Sequence, residues 1–254
     1  MNSARKNELK MKAAGLAASL REELHLTDLI PLDVERLLRE KNIQTLFRPM
    51  EDSASGMALL AKSADGGIHR FMMVNTNKSL GNQRFTACHE YYHLFFQESF
   101  RFIKESAGSF DETDPEEYTA DWFASFLLLP KGSLERLVPV QEQRGNKLRL
   151  ATLLEIEQMF RCSRKSLLFR LKDLGWIDSA VYDRYSLNVK KGALMNGYST
   201  SLYEPTEAHL FCGDYNRKAS ELFEQGKISQ AKLFSLLEDI GIDLNSVGED
   251  YGEL

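Results

Sequence analysis

Residues 84–94 read R-F-T-A-C-H-E-Y-Y-H-L, within a stretch of helical spacing that extends over residues 82–102. Four apolar residues mark one face of the predicted helix: Phe85, Cys88, Tyr92 and Phe95. Residues four apart on a helix lie one turn apart on the same side, so His89 and His93 present their imidazoles to one point. Glu90 then lies about 100° further round the helix axis. The H-E-x-x-H pattern on a helix indicates a metal site.

Zinc is the usual metal in such a site, held by neutral imidazole nitrogens. A bound zinc ion lowers the pKa of its water towards about 7, and a neighbouring carboxylate can take the proton as that water attacks a peptide carbonyl. We therefore predict His89 and His93 as zinc ligands and Glu90 as the catalytic base. The alternative is that two histidines and a glutamate fall at this spacing by chance, on a helix that binds no metal. The match of the H-E-x-x-H pattern with a predicted helix favours the metal site over this alternative.

A zinc site of this kind needs a third protein ligand, and the next predicted helix offers two acids one turn apart. Glu117 could bind the metal, while Asp121 could accept a hydrogen bond from a liganding histidine and orient it. Asp114 and Glu117 also have the spacing of a capping box, in which Glu117 would only satisfy a backbone N–H group. Neighbouring Glu116 is a competing ligand. The spacing leaves these alternatives open.

The remaining pattern predicts an α+β fold with a small, partly antiparallel sheet. The segment 68–74 is either an edge strand that pairs with an extended substrate or an interior strand. A loop-rich stretch is expected from Trp176 to Pro205. The predicted strands are 43–47, 57–61 and 68–74, and the predicted helices are 9–24, 32–41, 82–102, 115–129, 150–160 and 163–174, with two more near the C-terminus.

Composition limits the functional classes. The chain has 254 residues, a net charge of −5 and 43% hydrophobic residues, which is typical of a folded protein and not of a general polyanion binder. Its three cysteines are widely separated, which argues against a disulfide framework and favours a reducing cytoplasm. No apolar run reaches the roughly 20 residues that span a bilayer, so no membrane partner is expected.

The segment 144–173 is basic, with eight Lys and Arg residues against three acids. Its two short predicted helices, joined at residues 161–163, resemble a helix-turn-helix in which Arg164 and Lys165 could face phosphates. The alternative, which we favour, is a helix pair that packs on the preceding domain and shows a solvated basic face. The predicted division is 1–140 for the metal-binding domain, 141–178 for the helix-turn-helix-like segment, and 179–254 for a C-terminal loop and helical region.

Two blocks of sequence carry a family resemblance. The block at 84–94 and the following E-Y-T-A-D-W-F-A at 117–124, with its leucine-rich end at Pro130, resemble the ImmA/IrrE family of metallopeptidases. The family pattern is R-F-T-x-x-H-E-x-x-H, then E-x-x-A-[ND]-x-F-A. Weaker similarity extends to 73–75 and 160–163.

The resemblance implies a zincin-like fold in which His89, His93 and Glu117 bind zinc and Glu90 acts as base. Members of the family are similar to bacterial and mobile-element proteases that cleave a helix-turn-helix repressor and so release transcription. The expected function is therefore a zinc endopeptidase with a repressor protein as substrate. The alternative is a regulator that keeps the fold but binds DNA or a repressor without cleavage.

Overall fold

The computed structural model describes residues 1–63, 66–98, 113–206 and 210–242, and the backbone of the strand at 103–105. The described chain is α+β, as predicted, with five strands and eleven α-helices. The strands are β1 (Ile43–Arg48), β2 (Gly56–Lys62), β3 (Ile68–Asn75), β4 (Ile103–Glu105) and β5 (Leu210–Cys212). The helices are α1 (Ser3–Glu23), α2 (Val34–Glu40), α3 (Leu80–Phe95), α4 (Pro115–Leu128), α5 (Lys131–Leu137), α6 (Leu150–Phe160), α7 (Arg164–Asp173), α8 (Ser179–Ser186), α9 (Val189–Met195), α10 (Tyr215–Glu224) and α11 (Gln230–Asp239).

The five strands form one mixed sheet in the order β4-β2-β3-β1-β5. β1 and β3 are parallel, with Ile43 opposite Arg70, and the other pairs are antiparallel. Since β3 is bonded to β1 on one side and β2 on the other, the interpretation of 68–74 as a substrate-binding edge is wrong. Val74 and Asn75 at its end are fully buried, as expected of an interior strand.

Helices α3 and α4 pack against each other, and α3 also contacts β2 and β3 of the sheet. α1 packs against α4, and the buried Arg21 of α1 links the two helices because its guanidinium donates to the Leu127 carbonyl oxygen. The same guanidinium also donates to the carbonyl oxygens of Thr27 and Ile30, which follow α1 in the chain. The main hydrophobic core includes side chains on both sides of residue 140, such as Phe123 and Phe160. Helices α3 and α4, which carry the predicted site, therefore pack into a core to which residues after position 140 also contribute.

Two local predictions differ from the structure. α3 ends at Phe95 because Phe96 leaves the helical conformation and packs its ring against Phe123, at 5.3 Å between centroids. The last residues of the predicted helix, 99–102, lie outside the described part. The expected loop from Trp176 to Pro205 contains the short helices α8 and α9. Each buries a single residue, Val181 in α8 and Ala193 in α9, so the sequence lacks the apolar stripe that predicts a helix.

The segment that follows α9 returns to the start of α3. The Leu80 N–H donates to the Glu204 carbonyl at 2.9 Å, and the Thr206 hydroxyl donates to Gln83 Oε1 at 3.0 Å. Gly81 lies so close to α7 that an added Cβ would be 2.7 Å from the Ser163 backbone nitrogen. The beginning of α3 is thus fixed by residues from the C-terminal half. None of the described helices is both long enough and apolar enough to cross a membrane.

Candidate active site

Helices α3 and α4 bring three predicted ligands to one point. His89 Nε2 and His93 Nε2 are 3.0 Å apart, and each lies 3.1 Å from a different carboxylate oxygen of Glu117. His89 is fully buried, and His93 and Glu117 are 2% and 6% exposed. Among the described residues, this is the one group of three His, Cys, Asp or Glu side chains whose ligand atoms lie close enough together to hold a metal ion.

The far nitrogen of each imidazole has its own partner. His89 Nδ1 lies 2.8 Å from Asp121 Oδ1, and His93 Nδ1 lies 2.6 Å from Gln97 Oε1. Because both partners are oxygen acceptors, each Nδ1 donates a hydrogen, and in the neutral ring the Nε2 lone pair is then directed towards Glu117. Asp121 thus occupies the position predicted for it, beside a histidine of the ligand group.

The arrangement of lone pairs fits a cation. Two imidazole nitrogens and a carboxylate converge within 3.1 Å without a hydrogen between them in this tautomer, which is unfavourable unless a positive charge lies among them. Nitrogen and oxygen ligands of one tetrahedral zinc ion are separated by roughly 3.3 Å, close to the distances found here. The residues His89, His93 and Glu117 are compatible with a bound metal ion.

A proton is the alternative cation. Burial acts to lower the pKa of His89, but the hydrogen bond and negative charge of Asp121, together with Glu117, outweigh burial and raise this pKa well above its ordinary value. A bound metal ion would compete with a proton for the Nε2 lone pair of His89.

Glu90 is poised differently from Glu117. Its side chain is 2% exposed, and within the described residues its Oε1 has no hydrogen-bond partner. Burial raises its pKa to about 7, against the charges of His89 and His93, which act to lower it. Gly56 of β2 gives this carboxylate room, because a Cβ there would lie 3.0 Å from Glu90 Oε1 and 2.4 Å from the Thr86 methyl carbon. A buried carboxylate that has one oxygen without a hydrogen bond and a pKa near neutrality is suited to accept and release a proton.

The start of α4 separates the two competing acids. Asp114 caps the helix by accepting from the Glu116 and Glu117 N–H groups at 2.8 and 3.3 Å. The Glu116 carboxylate accepts from the Tyr92 hydroxyl at 2.8 Å, while the Glu117 carboxylate faces the two histidines. The geometry therefore favours Glu117 over Glu116 as a ligand.

The two basic residues predicted to face phosphates lie in different environments. Arg164 is 5% exposed and forms an ion pair with the buried Glu157 of α6, and its guanidinium also donates to the Tyr185 carbonyl. The interpretation in which Arg164 could contact a phosphate is therefore wrong, because the guanidinium is enclosed between α6 and α8. Lys165, the next residue, is exposed.

Gln97 is a site residue that the sequence analysis missed. It lies four residues after His93, the spacing that brings side chains together on a helix, although α3 ends two residues before it. Replacing Gln97 by leucine should weaken metal binding about 10- to 100-fold, because His93 would lose the acceptor that fixes its tautomer. Competition titration against a chromogenic chelator measures this. Gln143→Leu, a matched change far along the chain, should leave the affinity unchanged, and an unaltered affinity in Gln97→Leu would contradict the role.

Comparisons with known proteins bear on the family. A search among curated proteins finds no match to the chain. A family model described as Peptidase M78, IrrE N-terminal-like domain, matches residues 38–172, a range that contains His89, Glu90, His93, Glu117 and Asp121. The resemblance to the ImmA/IrrE family is thereby confirmed. Since the match covers more than half of the 254 residues, the chain belongs to the Peptidase M78 family of IrrE N-terminal-like domains.

Proposed function

We propose that the protein is a zinc-dependent endopeptidase. One observation carries the proposal. The buried residue Glu90 is adjacent in sequence to His89, one of the three residues His89, His93 and Glu117 that could hold a metal ion. Its Oε1 has no hydrogen-bond partner among the described residues. A His₂Glu donor set is typical of catalytic zinc and leaves a ligand position open. When bound, the metal supplies Lewis-acid chemistry, polarising a carbonyl oxygen and acidifying water.

The residues of the chain have separate tasks in this reaction. His89, His93 and Glu117 hold the metal, while Asp121 and Gln97 hold the two imidazoles in the tautomer that exposes Nε2. Glu90 accepts a proton at Oε1 from the attacking water and delivers it to the amine nitrogen as the C–N bond breaks. Water is consumed, and a new carboxyl group and a new amine are formed.

We further propose that the substrate is a helix-turn-helix repressor and that cleavage relieves repression in the cytoplasm. Membership of the IrrE-like family supports this choice of substrate. The three cysteines are free and buried, as is usual for a protein of a reducing compartment.

The test is cleavage of purified helix-turn-helix repressors from the same genome, read by mass spectrometry of the products. We expect one defined cut in one repressor, lost when a chelator removes the metal and restored by zinc. Unfolded casein serves as a general substrate. Cleavage of casein with every repressor left intact would reject the repressor as substrate but keep the peptidase, whereas no zinc-dependent cleavage of any substrate would contradict the peptidase itself.

A further inference from the structure

The start of β2 lies against Glu90, the catalytic base of the proposed reaction. Gly56, the first residue of β2, approaches α3 so closely that an added Cβ would be 3.0 Å from Glu90 Oε1 and 2.4 Å from the Thr86 methyl carbon. Protein interiors are close-packed, so a shift of this end of β2 changes the space that the Glu90 carboxylate can occupy.

The side chain of Asn75 holds the loop that leads into β2. Asn75 is the last residue of β3 and is fully buried. Its Oδ1 accepts from the backbone N–H groups of Met50 and Asn77, each at 3.0 Å. Its Nδ2 donates to the carbonyl oxygens of Glu51 and Ala54, at 3.0 and 2.7 Å. An amide side chain has two donor hydrogens and an oxygen with two lone pairs, so all of its hydrogen-bonding positions are used.

Backbone contacts connect this loop to the residue beside the base. The Asn75 N–H group donates to the Ser55 carbonyl oxygen at 2.9 Å. Val74, which precedes Asn75, lies opposite Gly56 in the pairing of β3 with β2. Ser55 precedes Gly56 in the chain, so the anchored loop continues directly into the residue that lies against Glu90.

Two further side chains of the connection between β3 and α3 donate to the same loop. Asn77 Nδ2 donates to the Met50 carbonyl oxygen at 2.9 Å, and Lys78 Nζ donates to the Asp52 carbonyl oxygen at 2.6 Å. Both of these hydrogen bonds are exposed to solvent, whereas the Asn75 amide is buried. Because an unsatisfied buried group costs more than an exposed one, the Asn75 amide is the main anchor of the loop.

We propose that Asn75 is a positioning residue, which keeps the start of β2 where Glu90 can reach the proton of the attacking water. The inference rests on the proposed endopeptidase function, since it concerns the base of that reaction. Asn75 acts through the loop and Gly56 and not by contact with the substrate. A general base must lie within hydrogen-bond reach of the proton that it accepts, and a displacement of about 1 Å can lower a rate by about 100-fold.

The experiment compares Asn75→Asp with Gln143→Glu. The Asn75→Asp carboxylate has the shape of the amide and still accepts hydrogen bonds, but it can no longer donate to the loop. Gln143 is the matched control, because its Nε2 also donates to two backbone carbonyl oxygens, those of Glu135 and Val138, at 3.2 and 2.7 Å. We would measure kcat, KM and zinc content for cleavage of the repressor or of casein, at a temperature where circular dichroism shows both variants folded.

We expect kcat of Asn75→Asp to fall about 10- to 100-fold, with KM within a few-fold of the parent and the zinc content unchanged. Gln143→Glu should keep the parental kcat. In the Glu90→Gln background, Asn75→Asp should lower the remaining rate by less than about 2-fold, because a residue that acts through Glu90 has no further effect once the base is lost. A parental kcat in Asn75→Asp, an equal fall in both variants, or a full further loss in the Glu90→Gln background would overturn the proposal.

A second variant decides the question if Asn75→Asp does not fold. Asn77→Ala combined with Lys78→Ala removes the two exposed hydrogen bonds to the loop and leaves the buried amide in place. Its kcat should fall several-fold with zinc retained, and a parental kcat would overturn the proposal. A zinc-loaded parent that cleaves no substrate would contradict the peptidase function, and the positioning role with it, whereas a parental kcat in a folded Asn75→Asp would contradict the positioning role alone.

Discussion

Replacing Glu90 by glutamine is expected to lower the rate of peptide-bond hydrolysis by about 10²- to 10⁴-fold while the metal content stays unchanged. The amide has nearly the same shape as the carboxylate but cannot accept the proton of the attacking water. Glu90 also lies outside the group His89, His93 and Glu117, so its loss should leave the metal ligands in place. Steady-state cleavage of a peptide substrate and elemental analysis of the same sample measure the two quantities.

Glu116→Gln is the matched control for this variant. Glu116 is a neighbouring acid whose carboxylate accepts from the Tyr92 hydroxyl, and an amide oxygen can accept the same hydrogen bond. Its hydrolysis rate should remain within a few-fold of the parent. Full activity of Glu90→Gln would contradict the assignment of the base. If the variant still relieved repression without cleaving the repressor, a non-cleaving regulator would explain the protein better.

Replacing Arg164 by methionine is expected to lower the free energy of unfolding by about 3–5 kcal/mol, because it leaves the Glu157 carboxylate buried without its cation. Glu157 is fully buried, and Arg164 Nη2 donates to its Oε2 at 3.0 Å. The Tyr203 hydroxyl also donates to Oε2, at 2.7 Å, but it brings no charge. Denaturant unfolding followed by circular dichroism measures the change.

Two further variants separate the ion pair from other effects of the substitution. Lys165→Met changes the adjacent exposed cation and should cost less than about 1 kcal/mol. The double variant Arg164→Met with Glu157→Met should recover most of the lost stability, since both charges are then absent. A loss in Arg164→Met no larger than that in Lys165→Met would contradict the buried ion pair.

The helix with the H-E-x-x-H pattern could be predicted because its evidence is local. The spacing of His89, Glu90 and His93 determines their relative positions on one helix, whatever the rest of the chain does. The choice between Glu116, Glu117 and a simple cap could not be made from spacing alone. It depends on the rotation of α4 against α3, which the packing of the two helices determines.

The features that sequence analysis missed depend on distant partners. Arg164 is of a residue type that suits a phosphate contact. Whether it faces solvent depends on Glu157, seven residues earlier, and on the carbonyl group of Tyr185 later in the chain. The interior position of β3 likewise depends on its pairing with both neighbouring strands. Gly56 is constrained by close approach to α3, which no turn or local pattern in its own segment indicates.

The zinc content of the purified chain, prepared beside His93→Ala, Glu117→Ala and Glu116→Ala, tests the central claim most directly. The account predicts about one zinc ion per chain in the parent and in Glu116→Ala, and strong loss of zinc in the other two variants. Circular dichroism of each variant checks that it is folded. Zinc retained in Glu117→Ala, or no zinc in the parent even after the metal is added back, would contradict the account.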